Sequence, residues 1–413
     1  MSSEWFSGKL GDVVELKRGY DLPQAKRTKG RVPLVSSSGV SDFHNTAMVK
    51  GPGVVTGRYG TIGKVFYVED DFWPLNTTLY VRDFKGNDPK FIHYFLKSVD
   101  FFAYSDKAAV PGVNRNHLHE AAVHLPGACE QKEIAGLLGA LDDRITLLRE
   151  TNATLETIAQ VLFKSWFVDF DPVRAKAEGL EPEGMEAAIA ALFPDSFEES
   201  EQGLVPKGWR VRTFAECCER IESGGTPRRT VPEYWSGGIP WLTSGEVRNP
   251  VVFDTKEKIT ELGVRDSSAK LWPQGTTVVA MYGATAGEVC LLAEPSTANQ
   301  ACCGLIPKIS YRTFLFMCAR REQEALASKS SGSAQQNLNK GLVSNHRVLL
   351  APDCILENYE NVAGSMLDAW IENERQAQTL TQLRDTLLPR LISGQLRLPE
   401  TQTSVEAMLS EVV

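Results

Sequence analysis

Between residues 130 and 168 the apolar residues recur at alternating steps of four and three, a pattern that predicts a long helix with one buried stripe. The stripe consists of Ile134, Leu138, Leu141, Ile145, Leu148, Leu155, Leu162 and Trp166. Asn152 and Ala159 fill the two remaining positions, so one polar side chain lies inside the stripe. An Asn at such a position can fix the register of paired helices, or it can be tolerated at a wet edge. A helix of this length would span about 58 Å at 1.5 Å per residue.

A second helix is predicted from about residue 355 to residue 392, with a less regular stripe. Its apolar positions are Val362, Met366, Trp370, Leu380, Leu383, Leu387 and Leu391. Glu374 and Gln378 interrupt the stripe. Pro389 is expected to kink or end the helix near Leu388, because proline has no amide hydrogen to donate. Each helix has one stripe to cover, and the other helix, running antiparallel, is the obvious partner. Such a pair would act as a rigid spacer.

Three aromatic residues at the end of the first helix, Trp166, Phe167 and Phe170, are expected to be exposed and to bind a further protein. The alternative is a spacer that binds no partner. The segment that follows is rich in Pro, Glu and Ala, and it is expected to be a linker with one short helix near residues 185–192.

The rest of the sequence forms two blocks in which short apolar runs are separated by Gly and Pro, which is typical of short strands. In the first block the strand candidates are Val13–Leu16, Val32–Ser36, Val54–Thr56, Val65–Val68 and Leu79–Val81. Pro89–Asp100 is a predicted helix, and Thr313–Leu326 takes its place in the second block. Both blocks are therefore expected to have an α/β (α+β) fold.

The two blocks repeat one another in order, and such self-similarity indicates a duplicated structural unit. Val32-Pro-Leu-Val-Ser matches Ile239-Pro-Trp-Leu-Thr. Four anchors share one offset of 223 residues, namely Tyr59 with Tyr282, Gly60 with Gly283, Asn76 with Asn299 and Asn114 with Asn337. A repeat of this size predicts two similar modules, separated by two long antiparallel helices in a pseudo-two-fold arrangement. Dimeric DNA-binding proteins engage two similar half-sites in this way.

These patterns together predict six segments. They are a first module at residues 1–129, a central long helix at 130–170, a linker at 171–204, a second module at 205–354, a C-terminal long helix at 355–395 and a flexible tail at 396–413.

The net charge of −8 would by itself argue against a nucleic-acid partner. The charge is segregated, however. Residues 1–129 carry +3, residues 130–203 carry −10, residues 204–354 carry +4 and residues 355–413 carry −5. Because a local basic face is enough to meet phosphate, both modules remain candidates for DNA binding.

Each module contains loops whose residue types suit DNA. Asn, Gln and Arg can hydrogen-bond to base edges, although an Asn can also simply cap a helix. The glycine-rich turn at Gly57–Lys64 lacks the spacing of a nucleotide-binding loop. It could bring backbone close to a DNA phosphate, or it could be a plain turn. The predicted DNA-binding residues are Arg58, Tyr59, Lys64, Asn76, Arg115, Asn116 and His117 in the first module, and Arg228, Arg229, Tyr282, Asn299, Gln335, Gln336, Asn337, Asn339 and Lys340 in the second.

The sequence contains no recognisable catalytic motif, whether of a methyltransferase, a nuclease, a hydrolase or a nucleotide-binding loop. The eight cysteines include no C-x-x-C pair, so they are expected to be reduced, mostly buried thiols rather than zinc ligands. No apolar run is long enough for a membrane span, and the first residues do not resemble a signal peptide, so a cytoplasmic location is expected.

Several segments closely resemble the specificity subunits of Type I restriction–modification systems. They are Leu162-Phe-Lys-Ser-Trp-Phe-Val-Asp-Phe-Asp-Pro-Val-Arg174, Phe193-Pro-Asp-Ser-Phe197, Val205-Pro-Lys-Gly-Trp209, Tyr234-Trp-Ser-Gly-Gly-Ile-Pro-Trp241, Glu130-Gln-Lys-Glu-Ile-Ala and Leu387-Leu-Pro-Arg-Leu-Ile-Ser-Gly-Gln395. The resemblance covers essentially the whole chain.

The resemblance implies a non-catalytic subunit in which each module is a target recognition domain for one half of a split site in double-stranded DNA. The helices would set the spacer and dock two methylation subunits, and restriction subunits would join the larger complex. S-adenosylmethionine would be bound by the methylation subunits, with no cofactor in this chain. The alternatives are a cryptic DNA-modifying enzyme, against which the missing motifs weigh, and a helical scaffold protein, against which the basic modules weigh.

Overall fold

The structure is a computed structural model that describes residues 5–106, 112–201, 203–330 and 337–397. The chain divides into two compact units. The first unit contains residues 1–147 and 376–413, and the second contains residues 148–375. Each unit therefore combines one sheet-rich module with part of each long helix.

The first unit is built on a four-stranded antiparallel sheet. Its strands are β1 (Phe6–Lys9), β2 (Glu15–Arg18), β3 (Val32–Ser36), β4 (Gly39–His44), β5 (Gly53–Gly57), β6 (Val65–Val68), β7 (Trp73–Pro74), β8 (Thr78–Asp83), β9 (Ser105–Asp106), β10 (Gly112–Val113) and β11 (Ala122–Leu125). The main sheet has the order β2-β8-β5-β6, and a second sheet has the order β4-β3-β7. Short helices at Leu10–Val13, Pro89–Lys97 and Arg115–His119 complete the module.

The second unit has a five-stranded sheet. Its strands are β12 (Phe197–Ser200), β13 (Gly203–Pro206), β14 (Arg210–Thr213), β15 (Cys218–Ser223), β16 (Trp235–Leu242), β17 (Val251–Val252), β18 (Glu257–Ile259), β19 (Thr277–Ala280), β20 (Val289–Leu292), β21 (Thr297–Ala298), β22 (Cys302–Pro307) and β23 (Arg347–Leu350). Its helices are Asp171–Ala177, Ala187–Ala190, Phe214–Cys217, Glu261–Arg265, Arg312–Arg321, Gln323–Ser330, Lys340–Ser344 and Asp353–Tyr359.

The predicted repeat is confirmed strand by strand. The order β2-β8-β5-β6 in the first unit recurs as β15-β22-β19-β20 in the second, where β17 adds one edge strand. In each module a hairpin strand also pairs in parallel with a two-residue strand, β3 with β7 and β16 with β21. The helix Pro89–Lys97 likewise corresponds to Arg312–Arg321. The two modules therefore share one topology.

The sequence predicted that one offset of 223 residues relates the two modules throughout. This offset holds at Tyr59 and Tyr282 but is wrong for the predicted pairs that follow the turn after these tyrosines. The backbone amide of Leu75 donates a hydrogen bond to the carbonyl of Val35 in β3, and that of Asn299 donates to the carbonyl of Leu242 in β16. Asn299 is therefore the counterpart of Leu75, and the counterpart of Asn76 is Gln300. The turn after Tyr282 is one residue longer than the turn after Tyr59, which the strands accommodate because insertions in surface turns leave the sheet unchanged.

The predicted match of Asn114 with Asn337 is also wrong. Asn114 caps the helix Arg115–His119 through its side chain, and Asn339 caps the helix Lys340–Ser344 in the same way. Asn339 is therefore the counterpart of Asn114, at an offset two residues larger than that of the tyrosines. The same Asn in the same cap position shows that the capping interpretation of these residues is correct in both modules.

The two long helices are confirmed, and both contain a π-helical turn. The central helix runs from Ala128 to Lys164 and continues as a π-turn at Ser165–Asp169. The C-terminal helix follows Asp353–Tyr359 through a π-turn at Glu360–Gly364 and then runs over Ser365–Ile392. In the second unit the rings of Phe163 and Tyr359 pack together, and Asn152 bonds Asn373 further along. These contacts show that the helices run antiparallel.

Asn152 is buried in this helix pair, and its polar atoms are satisfied. Its Oδ1 accepts a hydrogen bond from Nδ2 of Asn373 at 3.0 Å, and its own Nδ2 donates to the carbonyl of Trp370 at 3.2 Å. The side chain is 5% exposed, so it does not lie at a wet edge. A buried, paired amide in a helix seam favours one register, because sliding either helix would leave its polar atoms unsatisfied.

The first half of the C-terminal stripe is displaced by one residue from its predicted position. Ala363, Leu367 and Ile371 are buried, whereas the predicted Val362, Met366 and Trp370 are only half-buried. The π-turn at Glu360–Gly364 inserts one residue into the helix, which rotates the face that follows it.

The expected end of the C-terminal helix near Leu388 is also incorrect. The helix continues through Pro389 to Ile392. It ends at Gly394, whose φ of +72° is a left-handed conformation that glycine adopts without strain. Because Pro389 has no amide hydrogen, one regular hydrogen bond is missing near the end of the helix, which ends three residues later.

Trp166 and Phe167 are not exposed, contrary to the prediction. They are 4% and 5% exposed and lie in the main core of the second unit, and Phe170 is half-buried against that core. The π-turn at Ser165–Asp169 directs both rings inward, where Phe167 packs against Phe314 and Tyr359. These aromatic residues join the central helix to the second module, so the argument that they form a protein-binding surface is lost.

The segment predicted as a linker is more ordered than expected. It contains the helix Asp171–Ala177, a short helix at Ala187–Ala190 within the expected region, and a hairpin formed by β12 and β13. The acidic run expected to be linker lies in this hairpin, where Glu198 pairs with Arg210 at 2.7 Å. Local composition gave no sign of this cross-strand pairing. Residues 398–413, which include most of the predicted tail, lie outside the described residues.

Candidate nucleic-acid interface

A cleft of about 550 Å³ lies in the first module where three chain segments meet. Strand β2 contributes Lys17 and Arg18, the turn after β5 contributes Arg58 and Tyr59, and the start of the helix Arg115–His119 contributes its first residue. The structure therefore brings three predicted DNA-binding residues, Arg58, Tyr59 and Arg115, into one site.

Backbone hydrogen bonds hold this site together. The amides of Arg58 and Tyr59 both donate to the carbonyl of Thr77, at 2.9 and 3.2 Å. The carbonyl of Arg58 in turn accepts from the amide of Val113 at 3.0 Å. This last bond ties the turn after β5 to the loop that carries Arg115. The positions of the side chains are thus set by the sheet rather than by a loose loop.

Tyr59 packs directly on the backbone of Gly112. A Cβ atom on Gly112 would lie 2.2 Å from the ring of Tyr59, so only glycine leaves room for the ring. The guanidinium of Arg58 lies over the same ring, 4.5 Å from its centroid, and donates to its hydroxyl at 3.2 Å. Tyr59 nevertheless keeps 39% of its surface exposed. It presents an aromatic face and a hydroxyl to whatever enters the cleft.

The cleft is strongly cationic. Lys17, Arg18, Arg58 and Arg115 line it together with one carboxylate, Asp21. Asp21 pairs with Arg18 at 3.5 Å, an exposed contact that contributes little to stability. Among the described residues, no carboxylate forms an ion pair with the other three cations. Unpaired, converging cations beside an exposed tyrosine suit a DNA phosphate.

Lys17 also extends the site into a pair of tyrosines. Its Nζ lies 3.4 Å from the hydroxyl of Tyr20, which shares a hydrogen bond of 3.0 Å with the hydroxyl of Tyr80. The hydrogen bond with Tyr80, together with the nearby cation, lowers the pKa of Tyr20 from its ordinary value. The hydrogen bond to Tyr20 thus holds the ammonium of Lys17, which lines the cleft.

The other predicted residues of the first module lie around the cleft rather than in it. Lys64, Asn116 and His117 are exposed. Asn76 donates a hydrogen bond to Asp21, one of the lining residues. Asn76 therefore fixes a wall of the cleft, and its side-chain amide is occupied within the protein.

The second module contains the same backbone arrangement, which we call the frame: an exposed tyrosine bridged to the loop that precedes an Asn-capped helix. Tyr282 is 40% exposed and forms an isolated β-bridge with Asn337, as Tyr59 does with Gly112. Asn339 caps the next helix, whose first residue, Lys340, is exposed. Asn299 is occupied locally, because its Oδ1 accepts from the amide of Ala301 at 3.0 Å. The predicted residues Gln335 and Gln336 lie outside the described residues.

Arg228 and Arg229 belong to a different part of the second module. Arg229 lines a separate cleft of about 530 Å³. Its guanidinium lies 3.8 Å from the ring centroid of Trp235 and makes a two-armed pair with Glu257. That hydrogen bond lowers the pKa of Glu257 and raises the pKa of Arg229. Arg229 is thus engaged within the protein, whereas Arg228 is exposed.

Sequence reasoning missed Lys17 and Arg18. The signal that could have identified them is Gly19, which follows them and matches Gly224 in the second module. A Cβ atom on Gly19 would lie 2.1 Å from the carbonyl of Leu75, and one on Gly224 would lie 2.1 Å from the carbonyl of Asn299. Only glycine fits where two backbone segments come this close. Gly19 therefore indicates that the end of β2, with Lys17 and Arg18, lies next to the site.

Other chemistry is not evident in the described part of the chain. No group of three or more metal-ligating side chains occurs among the described residues. The eight cysteines are unpaired and six of them are buried; burial raises the pKa of Cys217 to about 12, which suppresses thiolate reactivity. Of the helices that the structure describes, none combines the length and apolar character needed to cross a membrane.

Comparison with known proteins gives a consistent result. The family model for the Type I restriction modification DNA specificity domain matches residues 2–157 and 206–353. The chain is 27% identical over 388 residues to the specificity subunit of the Type I restriction enzyme HindI from Haemophilus influenzae, covering 81% of this chain and 84% of that protein. It is 22% identical over 427 residues to the MjaIX specificity subunit from Methanocaldococcus jannaschii, covering 96% and 94%.

A solved structure has the same fold. It is the crystal structure of a Type I restriction–modification S subunit from M. genitalium, with a TM-score of 0.69 and 16% identity, covering 94% of this chain and 96% of that chain. At this identity the match concerns the fold alone. The family model matches both modules and most of the chain, and the chain therefore belongs to the Type I restriction–modification DNA specificity family.

Proposed function

We propose that this chain is the subunit that gives a Type I restriction–modification complex its DNA target, with each module reading one half of a split site. The proposal rests on the observation that the frame occurs once in each module. Each module places an exposed tyrosine beside a loop that ends in an Asn-capped helix with a cation at its first position. Two copies of one DNA-binding frame in a single chain fit a site with two halves.

The chemistry at the frame suits recognition rather than catalysis. Arg115 and Lys340 begin the capped helices, where Arg and Lys can hydrogen-bond to guanine edges or contact phosphate. Asn116 remains a candidate for adenine recognition, because its side chain is exposed and only its backbone amide is used by Asn114. The chain would thus select the DNA sequence and leave the reaction to its partners.

The helices would set the distance between the two halves and dock the partners. The relatives from Haemophilus and Methanocaldococcus are named as specificity subunits of restriction enzymes, and we carry that assembly over to this chain. Two methylation subunits would bind S-adenosylmethionine and methylate adenine, and restriction subunits would join the larger complex. The exposed apolar residues Leu147, Ile158 and Val161 of the central helix are the better candidates for docking, since Trp166 and Phe167 are buried.

The test is co-expression with a Type I methylation subunit that forms a stable complex with this chain, followed by mapping of methylated adenines across the genome. We expect a split motif with a fixed spacer that disappears when this chain is omitted. A stable complex with an active methylation subunit but no split motif would contradict the proposal and favour a helical scaffold. DNA turnover by the purified chain alone would favour an enzyme.

A further inference from the structure

The two modules share one frame, but their charges at equivalent positions differ. Gly19 and Gly224 are equivalent, because each donates its amide to the neighbouring strand and each approaches the same backbone carbonyl. The residues before them are therefore equivalent as well. Lys17 and Arg18 of the first module correspond to Glu222 and Ser223 of the second.

The same difference recurs at the turn and at the capped helix. The carbonyl of Arg58 accepts from the loop before its capped helix at 3.0 Å, and the carbonyl of Met281 does so in the second module at 2.8 Å. Arg58 therefore corresponds to Met281, which is 2% exposed. Only the pair Arg115 and Lys340 keeps a cation in both modules.

The positions equivalent to the cationic lining thus carry less positive charge in the second module, where Lys270 and Arg220 are paired with Glu222. Four cations and Asp21 line the first site, whereas the equivalent second positions hold one cation and Glu222. The carboxylate of Glu222 is used within the protein, where it accepts from the indole nitrogen of Trp272 at 3.2 Å and from Lys270 at 3.4 Å. If Glu222 turned toward DNA, the buried indole N–H of Trp272 would lose its hydrogen-bond acceptor.

We propose that the two modules hold DNA unequally, and that Lys17, Arg18 and Arg58 bind the phosphate backbone of the half-site read by the first module. The second module holds its half at the equivalent position without these phosphate contacts. This inference rests on the proposed function and adds which module supplies the electrostatic part of binding at this face. Each phosphate contact releases counterions, so the contacts are visible in the salt dependence of affinity.

The experiment measures Kd for a duplex carrying the mapped site at several salt concentrations, using the full chain in complex with its methylation subunit. The triple variant Lys17→Gln, Arg18→Ser, Arg58→Met replaces three cations of the first module by neutral residues, since the equivalent positions of the second module hold no cation. We expect the slope of log K against log salt to fall in magnitude by about 2 to 3, at about 0.9 per lost contact. Lys340→Gln, which removes the cation at the position equivalent to Arg115, should change the slope by no more than about 1.

Two controls separate local contacts from net charge and from misfolding. Lys132→Gln, Arg149→Gln, Arg390→Gln removes the same charge from exposed positions on the long helices, and co-purification first shows that this variant still binds the methylation subunit. Its slope should then lie within about 0.5 of the parent, because screened charges far from DNA release few ions. The charge-conserving variant Lys17→Arg, Arg18→Lys, Arg58→Lys should keep the parental slope. A charge-conserving variant with a lost slope would show that shape rather than charge is at work and would overturn the inference.

The outcomes distinguish this inference from the proposed function. If the parental complex prefers no split site, the proposed function itself fails. Suppose instead that the parental complex binds its split site and its affinity falls with salt, and that the Lys17, Arg18, Arg58 triple variant keeps the same slope of log K against log salt. That result would refute only the claim that the two modules contribute unequally to phosphate binding. An equal loss of slope in the helix control would also overturn it.

Discussion

Replacing Phe167 by alanine should destabilise the second unit rather than impair partner binding directly. The ring is 5% exposed. Its centroid lies 4.9 Å from that of Tyr359, 5.0 Å from that of Phe314 and 5.9 Å from that of Trp209. It therefore joins the central helix, the C-terminal helical region and the sheet module within one core.

The expected cost follows from the size of the removed side chain. Truncating a buried Phe to Ala costs about 3–5 kcal/mol, because transfer energy is lost and a cavity remains. For a unit of this size each kcal/mol lowers Tm by about 2–4 °C. A fall of about 10 °C is therefore expected for Phe167→Ala.

The matched control lies on the same helix. Thr154 is exposed, and Thr154→Ala should change stability by no more than about 0.5 kcal/mol. The assay is thermal unfolding of each full-length variant, together with co-purification of the methylation subunit at 20 °C. If Phe167→Ala kept the Tm of the Thr154→Ala control but lost the methylation subunit, Phe167 would be a docking residue and the core assignment would be refuted.

Four further outcomes are expected. Burial lowers the pKa of His93 to about 3, so His93 is protonated near pH 5 in the unfolded chain but not in the folded one. The free energy of unfolding should therefore be at its full value above about pH 6.5 and lower by about 2 kcal/mol at pH 5. Thermal unfolding of His93→Phe should not show this loss. Gly112→Ala should displace Tyr59 and weaken specific DNA binding at least as much as Tyr59→Ala, with little change in Tm. Arg115→Ala should weaken specific binding by about 1–3 kcal/mol, and an unchanged Kd would exclude this loop. Inserting one heptad into both long helices should lengthen the pair by about 10 Å and the preferred spacer by about three base pairs, as read by methylation mapping.

Much of the architecture could be predicted from periodicity and repetition. The stripe of Ile134, Leu138, Leu141, Ile145 and Leu148 is buried as expected, because a strict heptad leaves few alternatives to a paired helix. The repeat was detectable because Tyr59 and Tyr282 perform the same structural task. Both modules must place a tyrosine against the loop that precedes the capped helix.

The details that failed depend on single residues added to turns or helices. One extra residue in the turn after Tyr282 shifts every later correspondence, and the π-turn at Glu360–Gly364 moves the buried stripe from Val362 to Ala363. Neither insertion alters the hydrophobic pattern enough to be recognised in the sequence. The burial of Phe167 depends likewise on the π-turn at Ser165–Asp169.

The site was only partly predictable, because it joins residues that are distant in sequence. Arg58 and Arg115 lay in loops with an evident composition, whereas Lys17 lay on a strand whose pattern indicated only a sheet. The antiparallel pairing of β2 with β8, and of β8 with β5, brings Lys17 next to the turn that carries Arg58. Such convergence follows from strand order, which local sequence does not contain.

In the first unit, one carboxylate joins the module to both long helices. Burial alone would raise the pKa of Asp142, but hydrogen bonds from Tyr94 at 2.7 Å and Arg384 at 2.5 Å lower it. Tyr94 lies on the module's helix, whereas Asp142 and Arg384 lie on the two long helices. The module is thereby anchored to both helices, as a spacer that holds recognition modules in place requires.

The central claim is that each module reads its own half of a split site. The most direct test is adenine methylation by the assembled complex on three duplexes: the mapped site, the site with only its first half altered and the site with only its second half altered. The account predicts that altering either half lowers methylation by at least on the order of 10- to 100-fold, since a single wrong base pair already costs about 1–3 kcal/mol. Undiminished methylation after alteration of one entire half would contradict it.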